Sequence, residues 1–431
     1  MREMKDSGIQ WLREYPSDWK LIKIKYTLKE RVEKNNPVRT SDILSLTAKQ
    51  GVIPYEKKEG GGNKPKEDVS AYRLAYPGDI VMNSMNILAG SVGLSRYFGC
   101  VSPVYYMLRP QNKDEDVRFY NYIFQTEAFQ KSLFGLGNGI VIKESGNGKL
   151  NTIRMRIPMD KFGELYIPVA PIRNQHAISD FLDAKCSEID SLSATIQSEI
   201  DTLEQYKRSV ITETVTKGLD KDAEMKESGI EWIGKIPANW EIEKGKYCLA
   251  YKEKPTHPDD EVITCFRDGE VTLRKNRRED GFTISLKEIG YQGIDVGDLI
   301  VHGMDGFAGA IGISDSRGKA SPVLNVIDTL QNNKRYIMYY LRSMAYNGVF
   351  IALSTGIRVR TCDTSWGKLK ELPYPIPPKI EQDAIAEFID CKVQQIETLI
   401  QDKKKALDKL DQYKKSLIYE YVTGKKEVPA V

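Results

Sequence analysis

Residues Met4–Leu12 read Met-Lys-Asp-Ser-Gly-Ile-Gln-Trp-Leu, and residues Met225–Ile233 read Met-Lys-Glu-Ser-Gly-Ile-Glu-Trp-Ile. Working outward, Pro16-Ser-Asp-Trp19 returns as Pro237-Ala-Asn-Trp240, and Gly78-Asp-Ile-Val81 as Gly297-Asp-Leu-Ile300. Gly90-Ser-Val-Gly-Leu-Ser95 matches Gly309-Ala-Ile-Gly-Ile-Ser314, and Ser102-Pro-Val104 matches Ser321-Pro-Val323. Ile167-Pro-Val-Ala-Pro171 answers to Tyr374-Pro-Ile-Pro-Pro378, Gln205-Tyr-Lys207 to Gln412-Tyr-Lys414, and Val215-Thr216 to Val422-Thr423. Matches in the same order along nearly the whole chain make this an internal duplication, and every later reading has to respect it.

Each copy has two parts. Residues 1–170 and 219–378 mix short β-rich runs with Gly, Pro and Asn turn signals, as in Leu74–Met82. Gly-Asp reads as a turn feeding a strand, Gly90–Ser95 as a tight glycine corner, and Arg118–Phe134 and Arg335–Leu353 as helical stretches. These parts are expected to be α/β (α+β) globular domains. After Pro171 and after Pro378 the chain carries neither proline nor glycine until Gly218 and Gly424. Each interval predicts one long helix, 171–218 and 379–426, of roughly 65 Å at 1.5 Å per residue. A tail, 427–431, follows. Apolar residues at Ile189, Leu192, Ile196, Leu203, Tyr206 and Val210 repeat at 3-4 spacing, as do Ile396, Leu399, Leu410, Tyr413 and Leu417. This is a coiled-coil register interrupted by Glu199 and Lys403, and the shared register predicts that the two helices pair with each other, antiparallel, about a pseudo-twofold axis.

Charge is uneven. The net formal charge is +3 over 431 residues, yet residues 1–170 carry 26 Lys and Arg against 19 Asp and Glu. Residues 219–378 carry 22 against 23, with Arg274-Lys-Asn-Arg-Arg278 concentrated in one run and Arg358 and Arg360 beside Gly356. Phosphate binding needs clustered cations, and base reading needs amides and guanidinium groups on loops able to enter a groove. The loop Asn83-Ser-Met-Asn86 offers amides, and its counterpart is His302-Gly-Met-Asp305. One framework with unlike tips is what two readers of different sequences would show. The candidate DNA-contacting residues are Asn83, Ser84, Asn86, Lys143 and Arg154 in the first copy. In the second they are Arg274, Arg277, Arg278, His302, Arg358 and Arg360.

Catalytic motifs are missing where they would be expected. Asn35-Asn-Pro-Val38 lacks the second proline and the aromatic ring of an adenine methyltransferase tetrapeptide. Gly312–Ala320 has one residue too many for a phosphate-cradling P-loop, and no dinucleotide fingerprint sits in a strand–helix frame. The three histidines, 176, 257 and 302, share no second metal-ligand candidate, and the six cysteines form no C-x-x-C pair. No catalytic residue, metal or cofactor is therefore expected. The absence of a long apolar run and of an apolar leader in Met1–Asp6 predicts no membrane contact and a reducing, cytoplasmic setting.

The doubled Met-Lys-x-Ser-Gly-Ile-x-Trp starts, Val101-Ser-Pro-Val-Tyr105, Tyr374–Ile385 and Val422-Thr-Gly424 together resemble the specificity (S) subunit of type I restriction–modification enzymes. The resemblance spans essentially the whole chain. It departs from the family pattern at Arg173-Asn-Gln175 and at Gly139–Lys143, whereas Glu381-Gln382 and Gly356-Ile-Arg-Val-Arg360 follow it. It implies two target recognition domains, each reading half of a bipartite double-stranded DNA site, separated by two long antiparallel helices. It also implies a subunit without an active site that docks two methyltransferase subunits and, in the full complex, restriction/translocase subunits. S-adenosylmethionine, ATP and magnesium would belong to those partners. The alternative is a non-catalytic DNA-binding scaffold or regulator without restriction partners.

Overall fold

The computed structural model describes residues 2–429 apart from 48–49, 59–64, 141–142, 145–149, 152–153, 278–288 and 354–362. The chain divides into two compact units, of which only the second is contiguous in sequence. One comprises Met1–Thr195 with Lys405–Val431, the other Ile196–Lys404. The expected partition into 1–170, 171–218, 219–378 and 379–426 set the helices apart from the globular parts. Instead each long helix, Ile172–Lys217 and Lys379–Val422, gives one half to each unit.

In the first unit a four-stranded antiparallel sheet runs in the order Leu28–Glu30, Tyr105–Pro110, Ile80–Asn83, Val92–Leu94. In the second the order is Ala250–Lys252, Leu324–Asp328, Leu299–His302, Ile311–Ile313, again antiparallel throughout. The Gly-Asp turns feed the third strand of each order. Gly78 and Gly297 both sit at φ +86°, a left-handed conformation that glycine adopts without strain. The carboxylates that follow are tied down locally: Asp79 accepts from the Tyr76 amide, and Asp298 from the Asp295 amide.

The helical stretches each break in two. Val117–Gln125 and Glu127–Ser132 are separated at Thr126, and Lys334–Tyr346 and Val349–Ala352 at Asn347–Gly348. Asp116 and Asn333 cap the longer helices by accepting from Arg118 N–H and from Arg335 and Tyr336 N–H, which satisfies donors that a helix start leaves open. These helices cover the sheets and enclose the repeated tryptophans. Trp19 meets Phe119 edge-to-face at 5.9 Å, and Trp240 meets Tyr336 at 6.4 Å.

Inside each unit the helix halves lie antiparallel, numbers falling on one as they rise on the other. In the first unit Phe181 packs on Tyr421 at 4.5 Å between ring centroids and Lys414 pairs with Asp190 at 2.6 Å. In the second, Lys403 pairs with Glu199 at 2.6 Å and Lys207 with Glu397 at 3.5 Å. The two residues that interrupt the apolar register therefore neutralise each other. Leu417, Ile418, Tyr421 and Val422 complete the core that contains Trp11, Trp19 and Leu182, while Ile211 and Val215 join the core of Trp240, Ile385 and Ile389.

Ile189, Ile396 and Leu417 are buried, and Ile196, Leu203, Val210 and Leu410 are half-buried. The expectation for Leu192 and Leu399 is corrected: they stand 49% and 51% exposed, and Tyr206 and Tyr413 are exposed as well. The buried line passes one residue beyond each of the four, through Ser193, Lys207, Ile400 and Lys414, so three of its positions are polar.

Candidate nucleic-acid interface

In the second unit the hairpin Ile263–Cys265/Val271–Leu273 turns through Phe266–Glu270, with Gly269 at φ +91°. The chain leaves its second strand directly into a helical turn, Arg274–Arg277, which keeps the arginine run close to the hairpin tip. Facing it, the strand Leu299–His302 ends where the loop to Asp305 begins. Between them lies a cleft of about 740 Å³ whose lining includes Phe266, Arg267, Asp268, Arg274, Arg277, His302, Asp305 and Ser321. Three of the sequence candidates, Arg274, Arg277 and His302, thus share one concavity. Arg278, Arg358 and Arg360 lie outside the described residues.

The cations in this cleft already have partners. Arg277 bonds Asp268 at 2.6 Å and Glu270 at 2.8 Å, with its guanidinium 4.1 Å from the centroid of the Phe266 ring. Those carboxylates push its pKa further up. Arg267 pairs with Asp305 at 2.9 Å, and half-buried Arg274 donates from Nε to Thr264 Oγ1 at 3.4 Å. The arginine run thus belongs to a surface where guanidinium groups and carboxylates alternate. Such a surface attracts polyanions weakly but presents donors and acceptors side by side, the chemistry that distinguishes base edges. Sequence reasoning missed Phe266, Arg267 and Asp268; Asp268-Gly269 between two β runs was the available turn signal.

His302 has a fixed role. Its Nδ1 accepts from the amides of Met304 at 3.2 Å and Asp305 at 3.0 Å, so Nδ1 carries no proton and the ring is the neutral Nε2–H tautomer. Burial pulls its pKa below 6.5, consistent with a neutral ring.

The first unit does the same with different residues. Asn83 Oδ1 accepts from the Met85 amide at 3.0 Å, and Ser84 donates to the carbonyl of Val104 at 2.7 Å. Both are buried, Asn83 to 8% and Ser84 to 0% exposure, so the expectation that they contact DNA is corrected: they hold the loop. Asn86 is exposed and starts the short 3-10 turn Ile87–Ala89. Lys143 lies opposite Asn151, and Arg154 opposite Ile140, in two-stranded ladders. Among the described residues no cluster of His, Cys, Asp and Glu could hold a metal ion, and no helix is long and apolar enough to cross a membrane.

The chain is 24% identical over 436 residues to the type I restriction enzyme MjaVIII specificity subunit of Methanocaldococcus jannaschii, covering 95% of this chain and 93% of that one. It is 23% identical to the putative type I restriction enzyme MjaX specificity subunit of the same organism, over 96% and 94% of the two chains. Both are homologues of the chain. The likeness runs through both copies of the duplication. A solved structure, described as the structural basis underlying complex assembly and conformational transition of the type I R-M system, has the same fold. Its TM-score is 0.67 at 11% identity, over 96% of this chain and 99% of that one. No family model matches the chain.

Proposed function

We propose that this chain is the DNA sequence-recognition subunit of a type I restriction–modification complex. Each unit reads one half of an asymmetric bipartite site in double-stranded DNA, and the paired long helices form the coiled coil that sets the gap between the halves. The observation that carries this reading is a single scaffold built twice with unlike residues at matching positions, the exposed Asn86 against Asp305 and the loop-holding Asn83 against His302, on sheets of identical strand order. A common frame fits a common task, and different tips fit different base sequences. The names of the two homologues support the same assignment.

In this reading the subunit has no catalytic role. It docks two methyltransferase subunits, one for each copy of the duplication, and restriction/translocase subunits complete the assembly. The chemistry, with S-adenosylmethionine, ATP and magnesium, resides in them.

The test is a domain exchange. Replacing residues 20–165 with the matching part of another specificity subunit, then mapping modified adenines on DNA treated with the complete complex, should change one half of the site only. Changes in both halves, or in neither, would overturn the reading. Inserting about one heptad into both long helices should lengthen the unread gap, whereas an unchanged gap with DNA binding retained would refute the ruler.

A further inference from the structure

We infer that the Nε2–H of His302 is the donor with which the second unit selects one base of its half-site, choosing an edge that offers an acceptor. This rests on the reading above and names the residue and the kind of base. Three observations lead to it. The two loop amides fix the proton on Nε2, because both point at Nδ1. The ring lines the cleft between the hairpin tip and the loop, beside Arg277 and Asp305. Among the described residues no acceptor meets Nε2. A neutral imidazole locked in this way is a single donor of known position, and its companions in the cleft are held by ion pairs.

In the major groove, guanine offers N7 and O6, adenine N7 and thymine O4 as acceptors, while cytosine presents its N4 amino group as a donor. A lone donor at His302 therefore favours guanine, adenine or thymine and rejects cytosine, where two donors would face each other.

The duplication supplies the control. Asn83 occupies the matching place in the first unit and accepts the loop amide through Oδ1 just as His302 accepts through Nδ1. His302→Asn should keep the loop and withdraw the donor from the Nε2 position, because the shorter Asn amide N–H stops short of it. His302→Gln should do the reverse, since its longer amide reaches the Nε2 position and leaves the loop amides unmet.

Full-length chain is used to select duplexes from a pool randomised across the site, and the recovered sequences are compared. Wild type should yield two half-sites. With His302→Asn, discrimination against cytosine should fall about tenfold at one position of one half-site, the scale of a single good base contact. The other half should be unchanged. His302→Gln should keep the wild-type preference and lower the melting temperature more than His302→Asn does. If His302→Asn melts like wild type and every position keeps its preference, His302 only props the loop and the inference is overturned. It is equally overturned if Asn and Gln relax the same position to the same degree. A wild-type chain that recovers no bipartite site would bring down the recognition reading and this inference with it.

Discussion

Asp79 shows how much of this protein is decided at single side chains. Its carboxylate is fully buried, receives Arg109 at 2.7 Å and Arg31 at 3.2 Å, and caps the turn through the Tyr76 amide. The second copy keeps the aspartate but changes the cation: Asp298 is met by Lys254 at 2.6 Å. The Gly-Asp turn was legible because its chemistry is local. Its partners, 48 residues upstream and 30 downstream, were not, because no local rule names them. Asp79→Ala should cost about 2–3 kcal/mol in denaturant unfolding. That is less than the ~3–5 kcal/mol of a fully enclosed pair, since water reaches both arginines once the carboxylate is gone. His302 gives a pH dependence of known sign. Its folded pKa lies below 6.5, so as pH falls the unfolded chain takes up the proton first. The stability held by the neutral ring should be complete above about pH 6.5 and lost progressively below it. Melting temperatures between pH 7.5 and 5 should therefore drop further for wild type than for His302→Asn.

At the scale of the element, the two long helices were legible from the absence of glycine and proline, and their bounds fall within four residues of the reading. The buried face was partly misread. Leu192, Tyr206, Leu399 and Tyr413 each sit one residue before the true line, and one residue turns a helix by about 100°, from the seam to its flank. Pattern reading prefers an apolar residue to a polar neighbour, and here Ser193, Lys207 and Lys414 occupy the line in their place. The structure resolves the conflict by ion pairing: Lys207 reaches Glu397 and Lys414 reaches Asp190. Ile200→Ala, at 4% exposure, should destabilise the chain by about 2–4 kcal/mol, whereas Leu192→Ala should stay within about 0.5 kcal/mol. Equal losses at the two sites, measured by urea unfolding, would contradict the assigned faces.

At the scale of the whole molecule, the duplication was fully legible, yet the composition of the compact units was not. Sequence order suggested two domains with a helix after each. The cores instead enrol residues from the far end of the other helix: Leu417–Val422 for the Trp11 and Trp19 core, Ile211 and Val215 for the Trp240 core. Such long-range closure leaves no local signature. Deleting residues 405–431 should therefore strip the core of the first unit while every residue of Ile196–Lys404 remains. Limited proteolysis should then cut rapidly within 1–195 and spare 196–404.

Two junctions in the chain deserve comparison. At the end of the second long helix, Tyr419 donates to the carbonyl of Trp11 at 2.9 Å, and a Cβ at Gly424 would collide with the Pro16 ring. At the end of the first, a Cβ at Gly218 would come 3.2 Å from Trp240 and 3.7 Å from Pro237, and the backbone continues to Met225. Both places hold a left-handed glycine beside a proline and a tryptophan, and they differ in covalent continuity. The link that follows a long helix is therefore a place where the chain can be opened or joined. A circular permutant joined between 424 and 4 by a short linker, and opened between 218 and 225, should refold to the same circular dichroism and melting profile.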